Sequence, residues 1–399
     1  MKLSNKIIGG ITMPLSTLKT IFKDLFQTDP KTAFFAPGRV NLIGEHIDYN
    51  GGLVFPCAIT KGTYAVAHQR EDKSFHVYSD NFKELGVIEL SLDALSFAPK
   101  DAWSNYVKGI LSVLLQKGYT IPFGLNLVIY GDIPNGSGLS SSASLEILLC
   151  KIFNTYYDLK LSPEQMALIG KQVENEYIGV NSGIMDQFAI ALGQSNHALL
   201  LDCATQKYEY VPFDMNGYEL VIMNTNKRRE LADSKYNERF NECKTVLHLL
   251  QKQYNISNLC ELSSNHLLEI QSMNLESNLF KRAKHAITEN ERVLAATSAL
   301  RENRLTVFGD LLYASHCSLQ MDYEVTGKEL DTLVETALEE GAIGARMTGA
   351  GFGGCAIALV KSTLVDSLIE KVGVKYKEVI GYEASFYKAT VGNGPTQLI

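Results

Sequence analysis

The chain has 399 residues, of which 46% are hydrophobic and 20% charged, a composition typical of folded globular proteins and not of disordered ones. Its 37 Lys and Arg residues against 44 Asp and Glu residues give a formal net charge of −7, which argues against a nucleic-acid-binding protein. At roughly 150 residues per domain, the length indicates two or three domains.

The cysteines and histidines carry no metal-binding pattern. The seven cysteines are scattered without a CxxC pair, which indicates reduced thiols, and the eight histidines include no HxxxH pair. No apolar run approaches the roughly 18 residues that a membrane span requires. We therefore expect a cytoplasmic protein with no membrane partner, and we interpret the apolar stretch 7–15 as an extended or helical start rather than a signal peptide.

Apolar periodicity predicts mixed helices and strands in the first half of the chain and mainly helices after it. Before residue 205 the predicted helices are 15–26, 103–116, one after residue 140, one from Ser162 to about 178 and one from about 185. The predicted strands there are 33–37, 64–69, 75–79, 124–130 and 197–201. Later we expect strands at 218–224, 343–347, 355–360 and 383–388, with mostly helix over 232–340. The change in pattern predicts an N-terminal α+β domain at 1–205 and a C-terminal α+β domain at 206–399.

A polar loop at Gly38–Gly52 concentrates groups suited to a polyhydroxylated ligand. It holds Arg39, His46 and the carboxylates Glu45 and Asp48 among glycines that permit tight turns. Neighbouring carboxylates can accept hydrogen bonds from vicinal hydroxyls, as sugar recognition requires. The same composition also suits a solvated turn, so both interpretations stay open at this point.

A glycine- and serine-rich segment, Ile133–Ala143, follows a predicted strand and opens a predicted helix. Free backbone N–H groups and the helix dipole make such a turn an anion site, and its hydroxyls can hold a magnesium ion. It is not a Walker A loop, because no Gly-Lys-Ser/Thr follows. The context favours a phosphate-binding loop over an ordinary serine-capped turn.

A third segment, Gly349–Gly354, matches the dinucleotide fingerprint G-x-G-x-x-G literally. That fingerprint needs a helix directly after the glycines, whereas a strand is predicted from Cys355. The other protein-kinase signatures are also missing from the sequence. We therefore expect a glycine-rich hairpin that either approaches a ligand closely or packs tightly.

Two carboxylates outside these loops are candidates for the chemistry. Glu174 shares a helix stripe with Ala167 and Gly170, whose small side chains predict partial burial and the need for a partner such as a cation. Asp186 stands at a predicted helix start, where an Asp is most often a cap. It is equally able to act as a base beside a substrate hydroxyl.

Together these segments resemble a known family. Gly38–Gly52 closely resembles the galactokinase signature GRxNLIGEHxDYxxG. Pro134–Ala143 and Arg346–Gly354 resemble the second and third motifs of the wider superfamily of galactokinase, homoserine, mevalonate and phosphomevalonate kinases. The resemblance implies a two-lobed α+β small-molecule kinase fold, with mixed sheets and helices and the active site between the lobes. It also implies ATP- and Mg²⁺-dependent phosphorylation of galactose at its anomeric hydroxyl, the first committed step of galactose catabolism.

The resemblance assigns roles by motif position. The residues implied to contact the sugar are Glu45, His46, Asp48, Gly183 and Tyr236, with Asp186 and Arg39 as the catalytic pair. The residues implied to wrap ATP are Gly136, Ser137, Gly138, Leu139, Ser140, Ser141 and Ser142, with Ser79, Trp103 and Tyr106 near the adenine. Ser142 and Glu174 are the implied magnesium ligands. The resemblance favours a monomer whose partners are galactose and ATP only.

Physical chemistry supports the implied catalytic pair. The permanently charged Arg39 can stabilise both an ionised Asp186 and the charge that develops on the transferred phosphoryl group. An Asp held ionised in this way is only a weak base. We therefore expect proton transfer late in a loose transition state, with positioning and magnesium supplying most of the rate.

Three alternatives remain at this point. One is a kinase of a related sugar, such as N-acetylgalactosamine or arabinose, since the sequence does not show the size of the sugar pocket. Another is a non-catalytic sensor of galactose and ATP, and a third is an inactive paralogue. The uninterrupted Ser140–Ala143 segment, together with Arg39 and Asp186, favours the enzyme.

Overall fold

In the computed structural model, residues 15–134, 138–215, 217–227 and 232–399 are described, and helices and strands alternate over the first half of the chain. The α-helices are α1 Leu15–Phe26, α2 Ser104–Gln116, α3 Ser141–Tyr157, α4 Pro163–Gln172, α5 Met185–Ala191, α6 Ala232–Leu250, α7 Leu267–Ser272, α8 Ser277–Arg301, α9 Leu305–Ser318, α10 Lys328–Glu339 and α11 Val365–Ile380. The strands are β1 Thr32–Asn41, β2 Leu53–Val54, β3 Pro56–Gln69, β4 Phe75–Ser79, β5 Ile88–Leu90, β6 Leu125–Gly131, β7 His197–Asp202, β8 Tyr208–Pro212, β9 Tyr218–Asn224, β10 Gly344–Thr348, β11 Cys355–Lys361, β12 Ser385–Ala389 and β13 Thr396–Gln397.

The described strands form three sheets. The largest has the order β13-β1-β3-β6-β4-β5 and is antiparallel except where β4 runs parallel to β6. That parallel pair is joined through β5 and α2, because parallel neighbours require a crossover connection. The other sheets have the orders β10-β11-β9-β12 and β2-β7-β8. The predicted α+β architecture with mixed sheets and helices is confirmed.

The large sheet is buried on both faces. Leu18 and Phe22 of α1 pack over Ala33, Val66 and Val128 on one face. The opposite face belongs to a continuous hydrophobic cluster that reaches the helices and sheets of both halves of the chain. Burial on both faces explains why β1 is buried over most of its length instead of alternating. The division at residue 205 stays a prediction, since one cluster covers both sides of it.

The helix that carries Glu174 begins as predicted. Ser162 caps it: the Gln165 backbone N–H donates to the Ser162 hydroxyl at 3.2 Å, and the Ser162 N–H donates to the Gln165 side chain at 2.8 Å. After α4 the same helix continues as a π-helical turn at Val173–Ile178. π-turns of this kind are found often at functional sites.

The glycine-rich segment 349–354 connects β10 to β11, which pair antiparallel. The prediction of a hairpin, and the rejection of a dinucleotide-binding turn, are therefore confirmed. Gly349 has φ +88°, and a Cβ built on it would lie 2.7 Å from the Gly138 carbonyl oxygen. Only glycine at position 349 allows the hairpin to approach Gly138 this closely. Gly138 belongs to the glycine- and serine-rich segment 133–143, called the phosphate-loop segment below. In the part of the chain that the structure describes, no helix is long and apolar enough to span a membrane.

Candidate active site

A cavity of about 170 Å³ lies between the end of β1 with the loop that follows it, the start of α5 and the glycine hairpin. The prediction of a polar loop from residue 38 is wrong at its start, because pairing with β3 extends β1 to Asn41. Every sequence-predicted sugar and catalytic residue lines it, together with one predicted metal ligand: Arg39, Glu45, His46, Asp48, Glu174, Gly183, Asp186 and Tyr236. The rest of the lining is Val180, Ser182, Met185, Gly349 and Ala350. These residues come from segments distant in sequence, so the fold itself assembles the site.

Arg39 and Asp186 form a two-point ion pair at this cavity. Arg39 Nε and Nη2 each donate to one Asp186 carboxylate oxygen at 2.8 Å. The third Arg39 nitrogen, Nη1, donates to the Gly138 carbonyl at 2.6 Å, and the Ser140 hydroxyl donates to Asp186 at 2.5 Å. Although burial lowers the pKa of Arg39, the carboxylates of Asp186 and Glu45 raise it above its ordinary value. No side chain caps α5 among the described residues, so Asp186 is a cavity residue and not a helix cap.

Glu45 connects the polar loop to the glycine hairpin. Its Oε2 accepts hydrogen bonds from Arg346 at 2.7 Å and from Asn41 at 2.9 Å, and its Oε1 accepts one from the Gly349 N–H at 2.7 Å. Arg346 is fully buried and also donates to the carbonyls of Asn41 and Leu42. Burial raises the pKa of Glu45, although Arg346 opposes the shift. One lone pair of Oε1 remains for a ligand.

His46 is held in a single neutral tautomer. Its Nε2 lies 3.1 Å from the Ala350 carbonyl, which can only accept, so Nε2 carries the proton. Its Nδ1 therefore accepts from the Tyr49 hydroxyl at 2.8 Å. Burial, together with the nearby His285, lowers the pKa of His46 to about 3. Because protein groups occupy both nitrogens, the ring forms a wall of the cavity, with the Tyr236 ring at 5.6 Å.

Asp48 is the second carboxylate of the loop that faces the cavity. Burial, with the negative charges of Asp186 and Glu45, raises the pKa of Asp48 to about 7. Gly183 lies directly against it, since a Cβ on Gly183 would fall 1.8 Å from Asp48 Oδ2. Burial and the charges of Asp48 and Asp186 also raise the pKa of Tyr236 well above its ordinary value, so its hydroxyl keeps its proton and can donate.

Glu174 lies beside the start of α3. The Ser142 hydroxyl donates to its Oε1 at 3.0 Å, while its Oε2 accepts from Ser182 at 2.8 Å and from Gln187 at 2.9 Å. The expectation of burial is right, since only 8% of Glu174 is exposed. The partners that the described residues supply are the neutral donors Ser142, Ser182 and Gln187. Burial and the charge of Asp186 raise the pKa of Glu174.

The predicted ATP residues fall into three groups. Gly136 and Ser137 lie outside the described residues. Gly138, Leu139 and Ser140 lead into α3, and Ser141 and Ser142 are its first two residues. The first turn of α3 carries no acidic side chain and no side-chain cap within the described chain. Ser140 has φ +62°, a left-handed conformation that directs its hydroxyl to Asp186. Ser79 is buried at the end of β4 and does not line the cavity described above, and neither do Trp103 and Tyr106.

Comparison with known proteins agrees with this geometry. Three family models match: "Galactokinase galactose-binding signature" at residues 20–69, "GHMP kinases N terminal domain" at 105–194 and "GHMP kinases C terminal" at 296–378. A galactokinase of Clostridium perfringens is 59% identical over 97% of this chain and 100% of its own length. The chain belongs to the galactokinase family.

Other members of the galactokinase family are similar over nearly the full chain. A galactokinase of Enterococcus faecalis is 54% identical over 94% of this chain and 98% of its own. The crystal structure of Lactococcus lactis galactokinase complexed with galactose is 51% identical and has a TM-score of 0.94, covering 96% of this chain and 100% of that one. A mevalonate kinase structure at 20% identity, with a TM-score of 0.67, covers 90% of this chain and 99% of that one, and shares the fold alone. The predicted family, fold and galactokinase activity are confirmed.

Sequence reasoning missed three residues of this galactokinase-family site. Arg346 begins the third motif, whose resemblance assigns it no role, yet it pairs with Glu45, 301 positions away. Gln187 follows Asp186 directly and binds Glu174, and it also binds the buried Glu146 at 3.0 Å. One signal was present for the last residue, because Glu146 stands one helical turn after Ser142 and therefore on the same face of α3.

Proposed function

We propose that the chain transfers the γ-phosphoryl group of ATP to the anomeric hydroxyl of α-D-galactose, which occupies the 170 Å³ cavity. The observation that carries this proposal is the Arg39–Asp186 pair. It faces the cavity and is also bonded to Gly138 and Ser140 of the phosphate-loop segment. The pair therefore stands where a sugar hydroxyl and a nucleotide phosphate would meet.

The start of α3 suits the phosphates of ATP. The first backbone N–H groups of a helix are unpaired within the helix and attract anions. In the described chain no side chain caps α3, and no acidic residue in its first turn repels a phosphate. The Ser141 and Ser142 hydroxyls lie in that first turn and add donors.

Ser142 and Glu174 fit a magnesium ion. Magnesium prefers oxygen ligands and is commonly held by one or two carboxylates together with substrate phosphates. The Ser142 hydroxyl and Glu174 Oε1, 3.0 Å apart, supply two hard oxygens beside the phosphate-loop segment. Among the described residues no cluster of three or more His, Cys, Asp or Glu side chains would hold a metal by itself, as expected for an ion that arrives with the nucleotide. When bound, magnesium neutralises charge on the phosphates.

The sugar would be recognised by acceptors and one donor. Asp48 and Glu45 Oε1 would accept hydrogen bonds from sugar hydroxyls, and the protonated Tyr236 would donate one. Gly183 has no side chain at the place where Asp48 lies, so a larger residue at position 183 would displace the Asp48 carboxylate. The His46 ring would pack against the apolar side of the sugar.

Asp186 would orient the anomeric hydroxyl and receive its proton. Two hydrogen bonds from Arg39 and one from Ser140 hold the Asp186 carboxylate in place. We expect proton transfer to accompany or follow bond formation to phosphorus, as a loose phosphoryl transition state permits. Arg39 would also stabilise the charge on the transferred group.

We further propose that the enzyme acts in the cytoplasm, where ATP is available. The described residues contain no disulfide, and most of the seven cysteines are buried, which suits a reducing compartment. Its oligomeric state stays the sequence-based prediction of a monomer.

An ADP-release assay with Mg-ATP tests the proposal. Galactose, glucose, N-acetylgalactosamine and arabinose would be compared as acceptors at equal concentration. We expect turnover with galactose and little with glucose, because glucose differs only in the orientation of the C4 hydroxyl. Faster turnover with another sugar would show that this other sugar is the preferred substrate. Galactose binding detected by calorimetry, without turnover on any sugar, would contradict the proposed activity.

A further inference from the structure

Behind the cavity lies a buried carboxylate that the proposed mechanism does not use. Glu146 of α3 and Gln187 of α5 are both fully buried. The Gln187 side-chain nitrogen donates to Glu146 Oε2 at 3.0 Å and to Glu174 Oε2 at 2.9 Å. A single amide therefore bridges two carboxylates, and one of them is the proposed metal ligand.

The arrangement is costly for the folded state. No cation interacts with Glu146 within the described residues, and burial together with the charge of Glu174 raises its pKa well above the ordinary value. Glu146 Oε1 and Gln187 Oε1 are buried with no hydrogen-bond partner there. Burying polar atoms without partners opposes folding, so apolar side chains at these positions would pack more favourably. Such a site is expected where function, and not stability, requires the polar groups.

The two carboxylates determine which way the Gln187 amide points. Its oxygen has no partner in the described chain, so only the bonds from its nitrogen orient it. A rotation of the amide by half a turn would place that oxygen against the acceptors of Glu146 and Glu174 and lose both bonds. Without Glu146, only one of the two bonds would oppose that rotation.

The orientation of the Gln187 amide in turn determines which Glu174 oxygen faces the Ser142 hydroxyl. Glu174 Oε2 is held from behind by Ser182 and Gln187, which leaves Oε1 next to the Ser142 hydroxyl. Gly170 makes room for the bridge, since a Cβ there would lie 3.1 Å from Gln187 Cγ and 3.2 Å from Glu146 Oε2. The bridge thus joins α3, α5 and the π-helical turn that carries Glu174.

We propose that Glu146 is a positioning residue for the nucleotide-bound magnesium: it locks the Gln187 amide, and the amide holds Glu174 with Oε1 beside Ser142. This inference rests on the magnesium site of the proposed function. Residues that orient metal ligands in this way commonly change metal affinity by 10- to 100-fold when they are replaced.

The test compares Glu146→Leu, which removes the acceptor at similar volume, with Glu146→Gln, which keeps a carbonyl acceptor. Cys150→Ala is the matched control, because Cys150 is buried one turn further along α3 and contacts the Met166 carbonyl of the neighbouring α4. Three quantities would be measured: the Mg²⁺ concentration for half-maximal activity, Mn²⁺ binding to the enzyme–ADP complex by calorimetry, and galactose binding without nucleotide.

We expect Glu146→Leu to raise the half-saturating Mg²⁺ concentration at least about tenfold and to weaken Mn²⁺ binding by a similar factor. Its galactose affinity should match that of Cys150→Ala, and Glu146→Gln should stay close to the parent protein in all three measurements. If Glu146→Leu does not fold, Glu146→Asp withdraws the acceptor by one methylene and should act in the same direction. Metal binding like that of Cys150→Ala in whichever of these two variants folds would overturn the proposal.

Glu174→Ala separates this inference from the proposed function. If Glu174→Ala raises the Mg²⁺ requirement while neither Glu146→Leu nor Glu146→Asp does, only the positioning role of Glu146 is wrong. If Glu174→Ala leaves the Mg²⁺ requirement unchanged, the proposed magnesium site itself is wrong, and the role of Glu146 falls with it.

Discussion

At the scale of single residues, the Arg39–Asp186 pair shows how a buried guanidinium holds a carboxylate at the edge of a cavity. Arg39 is almost fully buried, whereas 30% of the Asp186 side chain is exposed at the cavity. The guanidinium therefore fixes the carboxylate from behind and leaves its open side to a ligand. Ser140 adds a further hydrogen bond from the phosphate-loop segment.

The first prediction concerns this carboxylate. Asp186→Asn keeps the shape of the side chain but removes the charge that receives the proton, so kcat should fall at least about 100-fold. ATP binding, measured by calorimetry, should change much less. The exposed Asp29→Asn is the control, and near-normal turnover of Asp186→Asn would contradict the assignment of Asp186 as the base.

The second prediction concerns pH. Because the pKa of Asp48 is raised to about 7, this carboxyl is protonated at lower pH and then accepts hydrogen bonds poorly. The KM for galactose should therefore rise as the pH falls through about 7, approaching tenfold per pH unit well below it. Asp48→Asn should have a higher KM that changes little over the same range, measured at saturating Mg-ATP.

The same shift has an opposite consequence for folding. The folded pKa of Asp48, about 7, is higher than its ordinary value of 3.8, so the group stabilises the fold most at low pH. That contribution is lost as the pH rises through about 7. In the proposed function, the ionised form of Asp48 would bind the sugar at some expense of stability.

At the scale of elements, the position of the glycine hairpin depends on the close contact between Gly349 and Gly138. Gly349 at φ +88° faces the Gly138 carbonyl, whereas Gly381 at φ +95°, after α11, has no atom within 4 Å of an added Cβ. Both positions have a left-handed backbone, and they differ in the atoms that an added Cβ would meet. They form a matched pair for substitution.

The third prediction uses that pair. Gly381→Ala should lose about 1–2 kcal/mol of unfolding free energy because of the left-handed backbone, and Gly349→Ala should lose more, because its added methyl also meets the Gly138 carbonyl oxygen. Gly349→Ala should additionally raise the KM for ATP, since the added methyl pushes the hairpin away from Gly138. Chemical denaturation and steady-state kinetics would measure both. Equal kinetics for the two variants would show that the close approach does not matter for nucleotide binding.

At the scale of the whole molecule, buried polar contacts join segments from opposite ends of the chain. Arg346 on β10 binds the carbonyls of Asn41 and Leu42 and the carboxylate of Glu45. Thr348 also exchanges hydrogen bonds with the Asn41 backbone. The polar loop that carries Glu45 is thus held in place by β10, which follows it by some 300 residues.

The fourth prediction tests this connection. Arg346→Met leaves Glu45 buried without its cation, so the free energy of unfolding should fall by about 3–5 kcal/mol. Lys377→Met, which breaks the exposed pair with Glu383, should change it by less than about 1 kcal/mol. Urea denaturation compares the two, and a loss for Arg346→Met as small as that for Lys377→Met would contradict the role of the buried pair. Adding Glu45→Gln should recover part of the loss.

Local sequence determined the regular elements with strong periodicity. The predicted bounds of Leu15–Phe26, Phe75–Ser79 and Tyr218–Asn224 agree with α1, β4 and β9. Strands β2, β5 and β13 are not predicted, because two or three residues carry too little pattern, and β2 and β13 form only by pairing with the distant β7 and β1. Strand β8 is not predicted either, since only one of its five residues is buried. The π-turn at Val173–Ile178 was read as ordinary helix, since its apolar spacing predicts a helix either way.

The sequence by itself determined the family, the activity and eight of the thirteen residues that line the cavity, because motif residues are close in the chain and their side-chain types carry the chemistry. Only the tertiary structure decided which partner each residue has: Arg346 for Glu45, the Ala350 carbonyl for His46, and the shared Gln187 amide for Glu146 and Glu174. Such pairings depend on how elements far apart in the chain pack together. Burial and neighbouring charge, which set the pKa of Asp48 and the tautomer of His46, follow from that packing and not from local sequence.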